Sequence, residues 1–275
     1  MSTNLAAELR DTFPGRLLID WYLDWHARHP EYANVLDYTE SVTTGDMAGR
    51  VRSTLSSYLW GDGFKDVLDM DTDSSEVVEM SEAIATVLTS PRCRTWNSPQ
   101  YHHGRIPTLR APLIANRFPP SSLLNGAFWT APVFENGDDA WALHGEHNPR
   151  RSPNRYEVHF DPDAVRVAHI DTAGDWSDLL DAHPMRYGDT LFPDWPSIAA
   201  RWDAVHVSVS GLLCAQPRIS EVPYESGDPS GYTHSQSGPY AGVAEWTVPS
   251  TAWLRLPAEC TVRVAETGLE VGRSG

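Results

Sequence analysis

Apolar residues in the first ninety positions recur at intervals of three and four. Leu17, Leu18, Trp21, Tyr22 and Trp25 share one helical face, with Pro14 near its opening and Pro30 as its stop. A second stripe, Met47, Val51, Leu55 and Leu59, runs to Gly61 and Gly63. A third, Val77, Met80, Ile84, Val87 and Leu88, follows the N-cap candidates Ser74 and Ser75 and closes before Pro91. These spacings predict three helices whose stripes, Trp21 and Trp25 included, face a core. After Pro91 the texture becomes short runs of β-branched and aromatic residues between Pro, Gly and Asn. Strands are expected over 156–160, 164–170, 204–209, 243–248 and 261–265, with Asp161-Pro162-Asp163 turning between the first two. Two short helices are expected near 176–182 and over 196–202, the latter with Pro196 at its first position, and Trp202 falls on an apolar face.

The pattern divides the chain into a helical N-terminal module, 1–95, and a β-rich domain, 96–275, an α+β arrangement. With 275 residues, 41% hydrophobic and 21% charged, the chain can bury a sizeable core without metal or disulfide staples. Cys93, Cys214 and Cys260 are far apart and form no C-x-x-C pair, so they are expected to be reduced and buried. The net charge of −16 repels phosphate backbones and anionic membrane surfaces, which disfavours nucleic acid as a partner. Residues 1–11 carry Glu8 and Asp11 and lack both a basic and an apolar leader region. The longest apolar stretch, 204–215, is broken by His206, Ser208 and Ser210 and is too short to span a bilayer. A soluble cytoplasmic protein is the expectation. Lys65 is the one lysine among 21 basic residues, a usage that resembles a high-GC bacterium or its phage.

Several familiar patterns fail. Asp69-Met-Asp-Thr-Asp73 opens like a calcium loop but has Ser74 at the sixth position and Met80 at the twelfth, and reads better as an acidic turn before a helix. His144-Gly145-Glu146 lacks the P-C-x-x-C that would complete a zinc deaminase site, and His147 misses the spacing of a two-histidine helix. No metal site is expected. Nucleophile-elbow, phosphate-loop and dinucleotide-fold glycine patterns are absent. The stretch 223–242 is rich in Gly, Ser, Pro and Tyr without periodicity, and such a long loop commonly bears function.

Three fragments gain meaning together: Tyr101-His102-His103-Gly104-Arg105, Gly126-Ala127-Phe128-Trp129-Thr130-Ala131-Pro132, and Val243-Ala244-Glu245-Trp246-Thr247-Val248. In the first, glycine beside histidine allows a ligand to approach the backbone closely. In the third, a carboxylate sits among apolar residues and needs either an outward face or a reason to be inside. Alternation leaves both orientations of Glu245 open.

Over 96–265 these fragments resemble the ADP-ribosyltransferase superfamily, in the branch with a His, aromatic, Glu signature that includes the poly- and mono-ADP-ribosyl polymerases. Tyr101 to Arg105 is similar to that branch's aromatic-His-Gly-Thr strand, Gly126 to Pro132 to its glycine-aromatic strand, and Ala244 to Val248 to its catalytic Glu strand. The resemblance implies a split β-sandwich holding NAD as a substrate, with Glu245 bonding the nicotinamide ribose 2′-hydroxyl and stabilising an oxocarbenium-like cation. It implies His103 on the adenosine ribose, Gly104 on the carboxamide and Trp129 beside the nicotinamide ring. Thr130 would lie with them, and Arg105 would neutralise pyrophosphate. Tyr224, Tyr232 and Tyr240 would meet the acceptor, a protein or small molecule rather than nucleic acid.

Three departures bear on the details. Val243 stands where arginine-modifying relatives carry Gln or Glu, Trp129 stands for the usual tyrosine, and Arg105 replaces threonine. Water as acceptor would make the protein an NAD glycohydrolase. The competing readings are a non-catalytic binding or structural protein, in which the aromatic strands are core, and an RNA 2′-phosphotransferase-like enzyme, for which −16 is a poor match.

Overall fold

Helix signals in the sequence act where they are written. The computed structural model describes residues 5–29, 43–60, 65–93, 95–106, 110–135, 137–141, 154–216, 239–243 and 246–265. Helix α1 is Leu5–Asp11, and α2, Phe13–Arg28, follows with Pro14 in its first turn. The hydroxyl of Thr12 caps α2 by accepting from the Gly15 amide at 3.3 Å. Helix α3 spans Thr44–Trp60, α4 Lys65–Leu68 and α5 Ser75–Leu88, the last capped by Ser74 as its spacing predicts. Leu18, Ile19, Met47, Val51, Met80 and Ile84 are fully buried, so the stripes face inward. Each such side chain contributes roughly 1.5–3 kcal/mol.

Among the described residues nine strands follow: β1 Gln100–His103, β2 Phe128–Pro132, β3 Arg155–His159, β4 Val167–Ile170, β5 Pro184–Tyr187, β6 Thr190–Pro193, β7 Ala204–Val207, β8 Ser250–Trp253 and β9 Thr261–Val264. Seven of them form one sheet in the order β4-β7-β8-β2-β1-β3-β9, antiparallel except for the parallel pair β4 and β7. Strands β5 and β6 make a separate hairpin. It lies in the crossover from β4 to β7, between α6, Ala173–Ala182, and α7, Trp195–Arg201. A capping box of Thr172 and Asp175 opens α6. Helix α8, Val209–Cys214, starts directly after β7. Its Gly211 admits no side chain, because a Cβ there would stand 1.9 Å from the Ile170 carbonyl oxygen.

One apolar cluster joins Leu9, Leu18, Met47 and Ile84 of the helices to Val205, Val207, Ala252 and Ala131 on one face of the sheet. The opposite face buries Val158, Phe160, Ala204 and Trp253 beneath Trp96. Polar stitches reinforce the first contact. Glu8, itself buried, accepts from the Ala173 amide at 2.9 Å, and the Thr12 hydroxyl donates to the Leu213 carbonyl at 2.8 Å. The fold is therefore a mixed α and β structure in which helices cover a mostly antiparallel sheet.

The strand expected over 243–248 is corrected. Its described residues, 243 and 246–248, lie in no strand, and the Trp246 amide donates to the Val243 carbonyl at 2.8 Å. Val243, Trp246 and Val248 are all buried, so the apolar residues fill the core instead of alternating across a sheet. Pairing begins only after Pro249, in β8, which is buried at every position. The hairpin β5–β6 and α8 were also not predicted. Cys93 and Cys214 are buried as expected, whereas Cys260 is half-buried. Among the described residues no helix is long and apolar enough to cross a membrane.

Candidate functional site

Strands β1 and β2 are neighbours, with Gln100 opposite Pro132 and Tyr101 opposite Ala131. Continuing that register sets His103 opposite Trp129 on one face of the sheet. His103 also pairs across β3 with Arg155, and the two side chains converge on one oxygen of Asp139. Its Oδ2 lies 2.8 Å from His103 Nε2 and 3.0 Å from Arg155 Nε, and the Asp139 side chain is 1% exposed. The Arg155 guanidinium lies 3.6 Å over the Tyr101 ring. Asp139 thereby fixes the orientation of the His103 ring and the position of the guanidinium at once.

Gly104 follows with φ +149°, a conformation that favours glycine, and its amide donates to the Asn154 carbonyl at 3.2 Å. That N–H is engaged within the fold. Arg105 beside it is exposed. Trp129 is half-buried, its indole edge-on to Trp246 with ring centroids 4.7 Å apart. Thr130 points to the other face, as strand alternation requires, and is fully buried. Its hydroxyl donates to Gln100 Oε1 at 2.5 Å and accepts from Trp253 Nε1 at 2.9 Å. Both of its roles are filled by neighbours, so Thr130 is an internal strut here rather than a surface group. His102 also turns to that face, stacked on Phe128 with Nδ1 2.8 Å from the Trp129 carbonyl oxygen, and burial pushes its pKa down.

The register thus joins His103 and Trp129 and separates Thr130 from them. Tyr240 is held elsewhere, its hydroxyl donating to Asp181 of α6 at 2.8 Å, while Ala241 donates to Leu191 of β6 at 2.9 Å. Glu245, Tyr224 and Tyr232 lie outside the described residues.

A second constellation forms around a cavity of about 460 Å³ at the C-terminal ends of β4 and β7. The parallel register puts His169 beside His206, and a polar row continues across the sheet through Thr251 to Thr130. His206 is 1% exposed, with Nε2 2.8 Å from the Thr95 hydroxyl and Nδ1 2.9 Å from the Thr251 hydroxyl. Burial, with a smaller contribution from His169, lowers its pKa to about 3, so the ring is neutral at ordinary pH. Trp96 closes one side, its ring centroid 5.6 Å from His169 and 5.5 Å from His206. Asp171 and Ser208 follow their strands directly, and Ser208 Oγ lies 3.0 Å from Ser210 Oγ and accepts from the Gly211 amide at 3.2 Å. Leu88 and Cys93 supply an apolar wall.

None of these lining groups was singled out as chemistry in the sequence, where His206, Ser208 and Ser210 register only as interruptions of an apolar run. The signal available there was a pair of β-rich runs joined by a helical crossover, whose strand ends commonly bound a ligand crevice. No group of three or more His, Cys, Asp or Glu side chains is placed to hold a metal among the described residues. No family model, curated protein or solved structure matches the chain.

Proposed function

We propose that the protein cleaves the bond between nicotinamide and ribose in NAD and transfers ADP-ribose to an acceptor. The observation that carries this reading is the shared face of His103 and Trp129, with Trp246, the residue after Glu245, packed against Trp129 at 4.7 Å. All three sequence fragments contribute a residue to one corner of the sheet. In this reading Glu245 stabilises the ribosyl cation as the C1′–N bond breaks, and the bonding pair leaves with neutral nicotinamide. An acceptor lone pair then closes on C1′ and the acceptor releases its proton. His103, oriented by Asp139, holds a ribose hydroxyl, Trp129 offers a ring edge to the nicotinamide, and Arg105 meets pyrophosphate from its exposed position. The Gly104 carbonyl, rather than its engaged amide, serves the carboxamide. A split β-sandwich is the arrangement this function brings with it.

The test is nicotinamide release from NAD by the purified chain, alone and with cell lysate. Wild type should turn over NAD, and Glu245→Gln and His103→Ala should each lose at least about a hundredfold, in the range of lost electrostatic and acid–base assistance. An inert wild type, or full activity in Glu245→Gln, would leave the non-catalytic binding protein as the reading.

A further inference from the structure

The cavity at the ends of β4 and β7 is built from groups that both give and take hydrogen bonds. We infer that it is a binding site for a neutral sugar ring bearing adjacent hydroxyls, free or as the ribose of a nucleoside. The inference is independent of the NAD reading, which concerns the opposite face of the sheet.

The charge of the described lining disfavours an anionic ligand first. Among the described residues, Asp171 and two histidines line the cavity and no lysine or arginine does, in a chain of net charge −16. A phosphate or carboxylate would enter uncompensated and beside Asp171. The hydroxyls then set the complement. Thr95, Ser208 and Ser210 are buried yet border open volume; Ser208 donates to the Ile170 carbonyl at 3.3 Å, while Thr95, bonded to His206, and Ser210, bonded to Ser208, keep further hydroxyl capacity for partners that bond in both directions. Alcohol hydroxyls are such partners.

His206 extends this adaptability. A neutral imidazole donates from one nitrogen and accepts at the other, so of Thr95 and Thr251 one receives its proton and the other donates to it. With the proton on Nε2, Thr95 keeps its own O–H to donate elsewhere. With the proton on Nδ1, Thr95 spends that O–H on the ring and presents lone pairs instead. One tautomer exchange therefore switches the same hydroxyl between donor and acceptor. The exposed His169 and Asp171 stand at the strand ends as further partners, and Trp96 supplies the flat apolar surface that suits the C–H face of a sugar. The volume of about 460 Å³ lies within the usual range for small-molecule sites.

Saturation-transfer NMR with methyl glucopyranoside, adenosine and AMP tests the site. Methyl glucopyranoside or adenosine should receive saturation from wild type, and which of them does so identifies a free sugar or a nucleoside as the source. AMP should bind at least tenfold more weakly than adenosine. His169→Ala and Asp171→Asn change exposed side chains, and a native amide spectrum confirms the fold of each; both should weaken the bound probe at least tenfold, while Arg263→Ala, at an exposed position on β9, leaves it unchanged. No transfer to either neutral probe, AMP binding equal to adenosine, or full binding in both cavity variants overturns the inference. Loss of adenosine binding in His103→Ala alone would assign that probe to the corner of β1 and β2 and overturn it equally.

Discussion

The corner at β1, β2 and β3 and the cavity at β4 and β7 lie on opposite faces of one sheet and satisfy their polar groups in opposite ways. At the corner, charge answers charge: Asp139 is buried between His103 and Arg155, and Arg155 caps Tyr101. At the cavity, neutral groups answer one another, with His206 between two threonines and Ser208 against Ser210. A network of charges fixes positions and is costly to break one member at a time. A network of hydroxyls and a neutral imidazole can reverse its donors without moving a heavy atom. The first suits holding a ligand in one pose; the second suits accepting a neutral one.

Acid should separate the two regions most strongly. His206 is neutral when folded and binds a proton when unfolded, so the unfolded state gains stability as pH falls below about 6.5 and continues to gain until the folded pKa near 3. Stability should fall by up to about 1.4 kcal/mol per pH unit across that window. Burial of His102 acts in the same direction. Urea unfolding at pH 7, 6, 5 and 4 reads the slope, and His206→Gln should flatten it; an unchanged slope in the variant would remove His206 as its source.

Next in size is Gly211→Ala, which drives a methyl group to 1.9 Å from the Ile170 carbonyl oxygen and must separate α8 from β4. A loss of about 3 kcal/mol is expected, at the upper end of overpacking costs, read as a lower urea midpoint. Asp139→Asn removes the charge shared by His103 and Arg155. These partners are 15% and 27% exposed, so solvent absorbs part of the effect and about 2 kcal/mol should be lost. The loss should shrink in Asp139→Asn combined with Arg155→Gln, a double-mutant cycle that measures the coupling. Smallest is Gly104→Ala, about 1 kcal/mol for a positive φ, since the group its Cβ would meet, His102 Nε2 at 2.9 Å, is a side-chain atom able to shift. A loss as large as that of Gly211→Ala would show the corner to be as rigid as the crossover.

The helical part was legible because its signals are local. The Ser74 cap, the stripe from Val77 to Leu88 and the stop before Pro91 describe α5 almost without reference to the rest of the chain. At the corner, His103 and Trp129 could be grouped because each sits in a distinctive short string. Thr130 faces away because alternation turns it to the other side once Trp129 faces inward. Residues 243–248 misled for a physical reason: Trp246 and Val248 alternate as a half-buried strand would, but Val243, three positions before Trp246, would fall on the other face of such a strand, and all three are buried. The cavity was illegible because Thr95, Asp171, His206 and Ser208 come from separate stretches and converge only when β4 and β7 pair in parallel.

Strand β8 joins the pair β4 and β7 to the block β2-β1-β3-β9, and among the described residues only β9 follows it in the chain. A nascent polypeptide halted ahead of Ser250 would therefore carry two sheet fragments with open edges and nothing between them. Joining of the two fragments must await emergence of β8, so a truncation anywhere between the end of β7 and Ser250 would leave the sheet in the same two pieces.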